Sequence, residues 1–231
     1  MEQINLRKQL VFNLSKERGL ESQKAQVVVC MDISGSMDHM YESGFVQRLL
    51  DRLLPVAMQF DDNEEMELYL FQNNSKRHPR NISLKNIDGI VNREIIGKYS
   101  MGGTNYAPSM EMIKKDYIPT PGFFSRKADT KLKYPVYVIF ITDGNNDDKS
   151  ETEVMLQALS KFGIFFQFVG IGNARFSFLE KLDNLSGRFI DNANFFQAND
   201  LDWVSDNDLY SKLLGEFPEW VQLAKQHNLI D

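Results

Sequence analysis

The stretch Val27-Val28-Val29-Cys30-Met31-Asp32-Ile33-Ser34-Gly35-Ser36 sets a short apolar run directly against a turn that carries one carboxylate and two hydroxyls. An apolar run of this length, rich in β-branched residues, reads as a strand buried on both faces, as in parallel sheets. Val136 to Thr142 and Ile164 to Ile171 share that character, and each ends in small or polar residues. The segments between them carry helical spacing: Val46, Leu49, Leu50, Leu53, Leu54 and Ala57 recur at three and four, and Val154, Leu156, Ala158 and Leu159 repeat the habit. The alternation predicts an α/β fold, a doubly wound, Rossmann-like open sheet, mostly parallel, with helices on both faces.

Weaker signals fill in the rest. Met66 to Phe71 reads as a further strand, and Asn81 to Leu84 as a short antiparallel edge strand reached by a turn at Asn73-Asn74-Ser75. Phe176 to Leu185, closed by Gly187, reads as a short helix before a strand near Arg188 to Asp191. A last amphipathic helix is expected from Asp208 to His227, kinked or broken at Pro218, and Pro55 should bend the helix that contains it. Pro119 to Pro135 lacks periodicity and reads as a long loop and candidate lid. The organisation expected is an N-terminal extension over 1–24 packed on one domain over 25–231, C-terminal helices included.

Composition narrows the function. With 26 Lys+Arg against 32 Asp+Glu the formal charge of the 231 residues is −6, which repels phosphate backbones, so no nucleic acid is expected as a partner. The single cysteine, Cys30, excludes a disulfide framework, a Cys-rich zinc site and a CxxC pair. Charged residues interrupt Met1 to Leu20, unlike a signal peptide, and no run approaches the roughly 20 apolar residues of a membrane helix. The expectation is a cytoplasmic protein without membrane insertion.

Ligands of open parallel sheets bind beyond the carboxyl ends of strands, where strand order reverses. Asp32, Ser34 and Ser36 stand at one such end and Asp143, in Thr142-Asp143-Gly144, at another. If those strands are neighbours, the two aspartates face each other. Met101-Gly102-Gly103-Thr104-Asn105 adds paired glycines, which let a backbone approach closely, and the Thr104 hydroxyl. Two carboxylates at one place repel unless something positive lies between them. A divalent cation supplies it, and an all-oxygen set with few carboxylates favours Mg²⁺, with Mn²⁺ or Ca²⁺ as alternatives.

Blander and rival readings stand beside this one. Asp32-Ile33-Ser34-Gly35-Ser36 alone serves equally as a capping turn. A Mg²⁺-dependent phosphohydrolase of the haloacid-dehalogenase type would use Asp32 as nucleophile, but it needs an acid two residues on, where Ser34 stands. No catalytic residue is therefore assigned. Gly170-Ile171-Gly172 fails the dinucleotide pattern at Phe176, and His39, His78 and His227 are isolated. The basic clusters Lys76-Arg77-His78 with Arg80, and Arg126-Lys127 with Lys131 and Lys133, read as solvated loops.

Asp32, Ser34, Ser36, Thr104 and Asp143 together match the DxSxS…T…D pattern of the metal-ion-dependent adhesion site (MIDAS), which identifies the chain as resembling von Willebrand factor type A (VWA) domains. The resemblance implies that the serines and threonine bind a metal directly, that the aspartates act largely through water, and that an Asp or Glu of a protein partner completes the sphere. Met101 to Tyr106, Phe140 to Gly144, Phe166 to Gly172 and the tail from Leu209-Tyr210 to Trp220 are similar to the A domains of bacterial tellurite-resistance (TerF-like) stress proteins. Many members of that group add a calcium-binding TerD-type domain, whose acidic clusters this sequence lacks. The expected role is metal-dependent adhesion, with a metal-independent scaffold as the remaining alternative.

Overall fold

The computed structural model describes residues 2–119, 130–144, 146–198 and 204–231. Its six strands are β1 (Gln26–Asp32), β2 (Glu67–Phe71), β3 (Ser75–Arg77), β4 (Val136–Thr142), β5 (Ile164–Ile171) and β6 (Ala193–Ala198). They form one sheet in the order β3-β2-β1-β4-β5-β6, parallel throughout except for β3, which runs antiparallel on β2. The helices are α1 (Glu2–Glu17), α2 (Asp38–Glu42), α3 (Phe45–Phe60), α4 (Ala107–Tyr117), α5 (Lys149–Leu159), α6 (Ser177–Asp183), α7 (Asp206–Leu213) and α8 (Phe217–Gln226). This is the doubly wound α/β sheet expected from the strand–helix alternation.

Strand side chains alternate between faces, so each face carries its own core. Val27, Val29 and Met31 of β1 join Tyr137, Ile139 and Ile141 of β4 under Leu49, Leu50, Leu53 and Leu54 of α3, with Phe217 and Trp220 of α8 on the same side. Val28 and Cys30 join Val138, Phe140, Phe166 and Phe168 against Met110 and Ile113 of α4, Leu156 and Leu159 of α5, and Leu179 and Leu182 of α6. At about 1.5–3 kcal/mol per fully buried large apolar side chain, an upper figure because unfolded chains bury some of this surface already, these two layers dominate the fold's stability. They hold the strand ends in fixed register: β1 and β4 are neighbours, with Met31 opposite Ile141. The chain leaves β1 for β2 on one side and returns to β4 on the other, which makes the β1/β4 edge the point where strand order reverses.

The N-terminal helix α1 buries Val11 and Leu14 and packs on α3. Asp206 at the start of α7 receives Arg7 Nε and Arg52 Nε, each at 2.8 Å, so one carboxylate joins three helices.

Several expected elements lie elsewhere. The edge strand is Ser75–Arg77, with Phe71 opposite Ser75, because the turn after Phe71 is tight (Gln72 N–H to Asn74 C=O, 2.8 Å) and pairing resumes at once. Asn81 to Leu84 contributes only an isolated bridge between Ile82 and Met66. Arg188 to Asp191 is not a strand: the Arg188 guanidinium donates to the carbonyls of Leu185 (2.7 Å) and Asp183 (2.7 Å), which folds the segment back, and the strand begins at Ala193. The C-terminal helix is two helices, and Pro218 sits in the first turn of α8, where its missing N–H costs nothing. Helix α3 runs through Pro55 without interruption. Residues 120–129 of the expected loop and candidate lid, with Phe123, Phe124, Arg126 and Lys127, lie outside the described residues. Among those described, no helix is long and apolar enough to cross a membrane.

Candidate metal centre

Asp32 is the last residue of β1 and is fully buried. Each of its oxygens has a donor: the Ser34 N–H reaches Oδ1 at 2.6 Å, and the Thr142 hydroxyl donates to Oδ2 at 2.7 Å. The first of these closes an Asx turn, so the bland role is real, but it occupies only one face of the carboxylate. The Tyr41 hydroxyl donates to the Asp32 carbonyl at 2.8 Å and fixes the backbone where the strand ends.

The turn then carries its hydroxyls toward β4. Ser34 Oγ and Ser36 Oγ lie 3.1 Å apart, and Ser36 Oγ donates to Asp143 Oδ1 at 2.8 Å. Asp143 follows the last residue of β4, so neighbouring strand ends bring Asp32, Ser34, Ser36 and Asp143 into one hydrogen-bonded chain. Ser36 is exposed and Asp143 half-buried, which leaves the outer side of the cluster open to solvent.

Thr104 arrives through its backbone. The Gly35 N–H donates to the Gly102 carbonyl at 3.0 Å, and Ser34 and Gly102 form a parallel bridge that lays this loop along the Asp32 turn. Asn73 accepts from the Gly103 N–H at 2.7 Å through Oδ1, and the Asp147 N–H donates to the Thr104 carbonyl at 2.8 Å. A Cβ on Gly102 would overlap the end of the Gln72 side chain, and one on Gly103 would lie 2.9 Å from Asn73 Nδ2, so a larger residue at either position would displace these side chains from the loop. No hydrogen bond joins the Thr104 hydroxyl to the other four residues among the described ones, and its oxygen remains available.

The supporting groups escaped the sequence reading. Thr142 and Tyr41 hold Asp32; the Tyr106 hydroxyl donates to the Gly144 carbonyl at 2.7 Å and lies 3.2 Å from Thr142 Oγ1. Asp148 accepts the N–H groups of Tyr106 (2.9 Å) and Ala107 (2.8 Å), capping α4 from the loop after β4. Asp148 carried a signal, a carboxylate just ahead of a helical pattern, but its use on a different helix was not readable.

Burial pushes the Asp32 carboxyl up to about 6; the Thr142 hydroxyl and the Ser34 donors pull it down, and the nearby Asp143 charge pushes it further up. Neither aspartate has an ion-pair partner among the described residues. Among the described residues, no three His, Cys, Asp or Glu side chains gather in metal-holding geometry. The candidate donors are two carboxylates and three hydroxyls, hard oxygen throughout, and among the described residues no side-chain cation pairs with either carboxylate. Such a set fits a hard divalent cation and poorly suits zinc or copper sites built on His and Cys.

The family model described as the vWA domain found at the TerF C terminus matches residues 24–230. An uncharacterized protein of Bacillus subtilis (strain 168), YcbR, is 36% identical over 233 residues, which covers 100% of this chain and 91% of that one. Among solved structures, the fold is similar to manganese-loaded TRAP protein of Plasmodium vivax at a TM-score of 0.54 and 18% identity, over 85% of this chain and 74% of that one. Proximal thread matrix protein 1 of the mussel byssus, solved with a zinc-occupied MIDAS motif, aligns at a TM-score of 0.51 and 13% identity over 90% of this chain, which spans 48% of that protein. At these identities the structural likenesses speak to the fold.

Proposed function

The chain belongs to the TerF-like group of von Willebrand factor type A domains, and from that premise we propose that it is a metal-dependent protein-binding module whose cation is held by Asp32, Ser34, Ser36, Thr104 and Asp143. VWA domains are in general interaction modules and not enzymes. The observation that carries the proposal is the hydrogen-bonded chain from Asp32 to Asp143, which brings two carboxylates together with the Ser34 and Ser36 hydroxyls, neither carboxylate having an ion-pair partner among the described residues.

Ser34, Ser36 and Thr104 offer hydroxyl lone pairs, while Asp32 and Asp143 supply charge. When bound, the cation would offer a coordination position to an Asp or Glu of the partner. A set with few direct negative charges leaves the metal electrophilic toward such a carboxylate, and Mg²⁺, which keeps waters and accepts few protein ligands, suits it best. Thr142 and Tyr41 hold Asp32 in place, and Asn73 and Asp147 hold the Thr104 loop. Residues 25–231 make up the domain in this reading, with 1–24 packed on it. The group's name supports a place in a bacterial tellurite-resistance or stress-response type of complex. Chelator-stripped protein titrated with Mg²⁺, Mn²⁺ and Ca²⁺ during thermal unfolding tests the site: a rise in Tm in the wild type that is absent in Asp143→Ala supports it, and no rise in either overturns it.

A further inference from the structure

The rim of this site continues into an apolar groove between α4 and α5. The groove is open to solvent and has a volume of about 690 Å³; Ala107 and Pro108 of α4 and Val154 and Met155 of α5 supply its apolar lining, and Glu111 and Glu151 line it as well. Its lining includes Asn105, the residue after Thr104, and Asp148, the cap of α4, so it adjoins the loops that carry the metal cluster. Val154 is 66% exposed, while Leu156 and Leu159 of the same helix are buried. Val154 therefore adds an exposed apolar side chain to the lining of the groove. Glu111 and Glu151 are exposed and have no ion-pair partner among the described residues, whereas Glu153, two residues after Glu151, is taken by Lys181 at 2.5 Å.

The geometry points to the α4–α5 groove as a second contact for the protein partner, one that receives an apolar side chain flanked by Lys or Arg on the same segment that brings a carboxylate to the metal. This rests on the metal-dependent binding proposed above. Apolar and acidic lining residues specify the occupant's chemistry. A hydrocarbon side chain seats against Val154 and Met155, and the partner's basic groups face Glu111 and Glu151, whose charges also turn away acidic surfaces. A carboxylate alone at a metal would fit almost any protein surface; the groove adds the discrimination that the metal lacks.

The test uses the full chain and a displayed library of random peptides, selected in the presence of Mg²⁺. Val154→Glu and the charge-reversed pair Glu111→Lys with Glu151→Lys alter exposed positions, and the Mg²⁺-induced rise in Tm verifies that each variant keeps its fold and metal site. The expected result is enrichment of peptides that combine an Asp or Glu with an apolar residue next to Lys or Arg. Each variant should bind them about tenfold more weakly, the scale of one lost apolar or charged contact. Peptides held equally by wild type and both variants, or a library that yields no binder, would overturn the groove. Selected peptides that respond to the groove variants but not to chelation would instead leave the groove standing and remove the metal from partner binding.

Discussion

Ser36 and Asp143, 107 residues apart in sequence, are joined by a hydrogen bond of 2.8 Å from the serine hydroxyl to Oδ1. The bond is the closing link between two strand ends, and it places the Asp143 charge where it raises the pKa of buried Asp32.

Asp143→Asn therefore has opposite effects with and without metal. The amide oxygen still accepts from Ser36, but the like charge beside Asp32 is gone, so metal-free protein should be unchanged or slightly more stable. The wild type at one hundred times its dissociation constant for Mg²⁺ gains about 2.7 kcal/mol, or roughly 5–10 °C for a domain of this size. The variant should lose most of that gain. Calorimetry on both proteins, with chelator and with Mg²⁺, reads all four values, and a variant less stable than wild type under chelation would refute the repulsion argument.

Thr142 is fully buried and donates to Asp32 Oδ2 at 2.7 Å. Thr142→Val keeps the shape and leaves that oxygen without a donor, at a cost of about 1–3 kcal/mol. Thr142→Ser retains the hydroxyl and should recover part of the loss, net of the deleted methyl. Urea denaturation compares the two; equal destabilisation would mean that the methyl, and not the hydroxyl, matters at this position.

What the sequence made legible follows from burial. Strands covered on both faces are continuous apolar runs, so the limits of β4 and β5 and the end of β1 at Asp32 could be read directly, and with them the positions of Asp32 and Asp143. Edges carry no such pattern: Lys76 and Arg77 of β3 are exposed, and nothing in their composition marks a strand. Nor could the last strand be placed, because the turn before it is set by one guanidinium folding onto backbone carbonyls. The groups around Asp32 were hidden for a related reason. Thr142, Tyr41 and Tyr106 are hydroxyls from three separate elements, and only the packing of those elements makes them converge.

Asp148 ties the loop after β4 to the start of α4 by accepting two backbone N–H groups, at 2.9 and 2.8 Å. Asp148→Ala removes a cap and should cost about 1–2 kcal/mol. The same change frees the Thr104 loop from its neighbour, so the Mg²⁺-induced rise in Tm should shrink as well. A variant that loses stability while keeping the full metal response would show that capping and loop placement are independent.

Cys30 lies two residues before Asp32 in the centre of β1, fully buried. Burial raises its thiol pKa well above the ordinary 9.0, with the Ser109 hydroxyl opposing and the Asp32 charge adding to the rise. A raised pKa means that the folded protein holds this proton where the unfolded chain releases it. The thiol's contribution to stability is therefore complete below pH 9.0 and declines as pH rises beyond it. Reaction needs both exposure and the thiolate, and the native site provides neither. A chromogenic disulfide reagent at pH 8 should label Cys30 only as fast as the sheet opens, with a rate that rises with urea and falls when Mg²⁺ is added. Rapid labelling of native protein, at the rate of a free thiol, would contradict a β1 buried on both faces and with it the register that sets Asp32 beside Asp143.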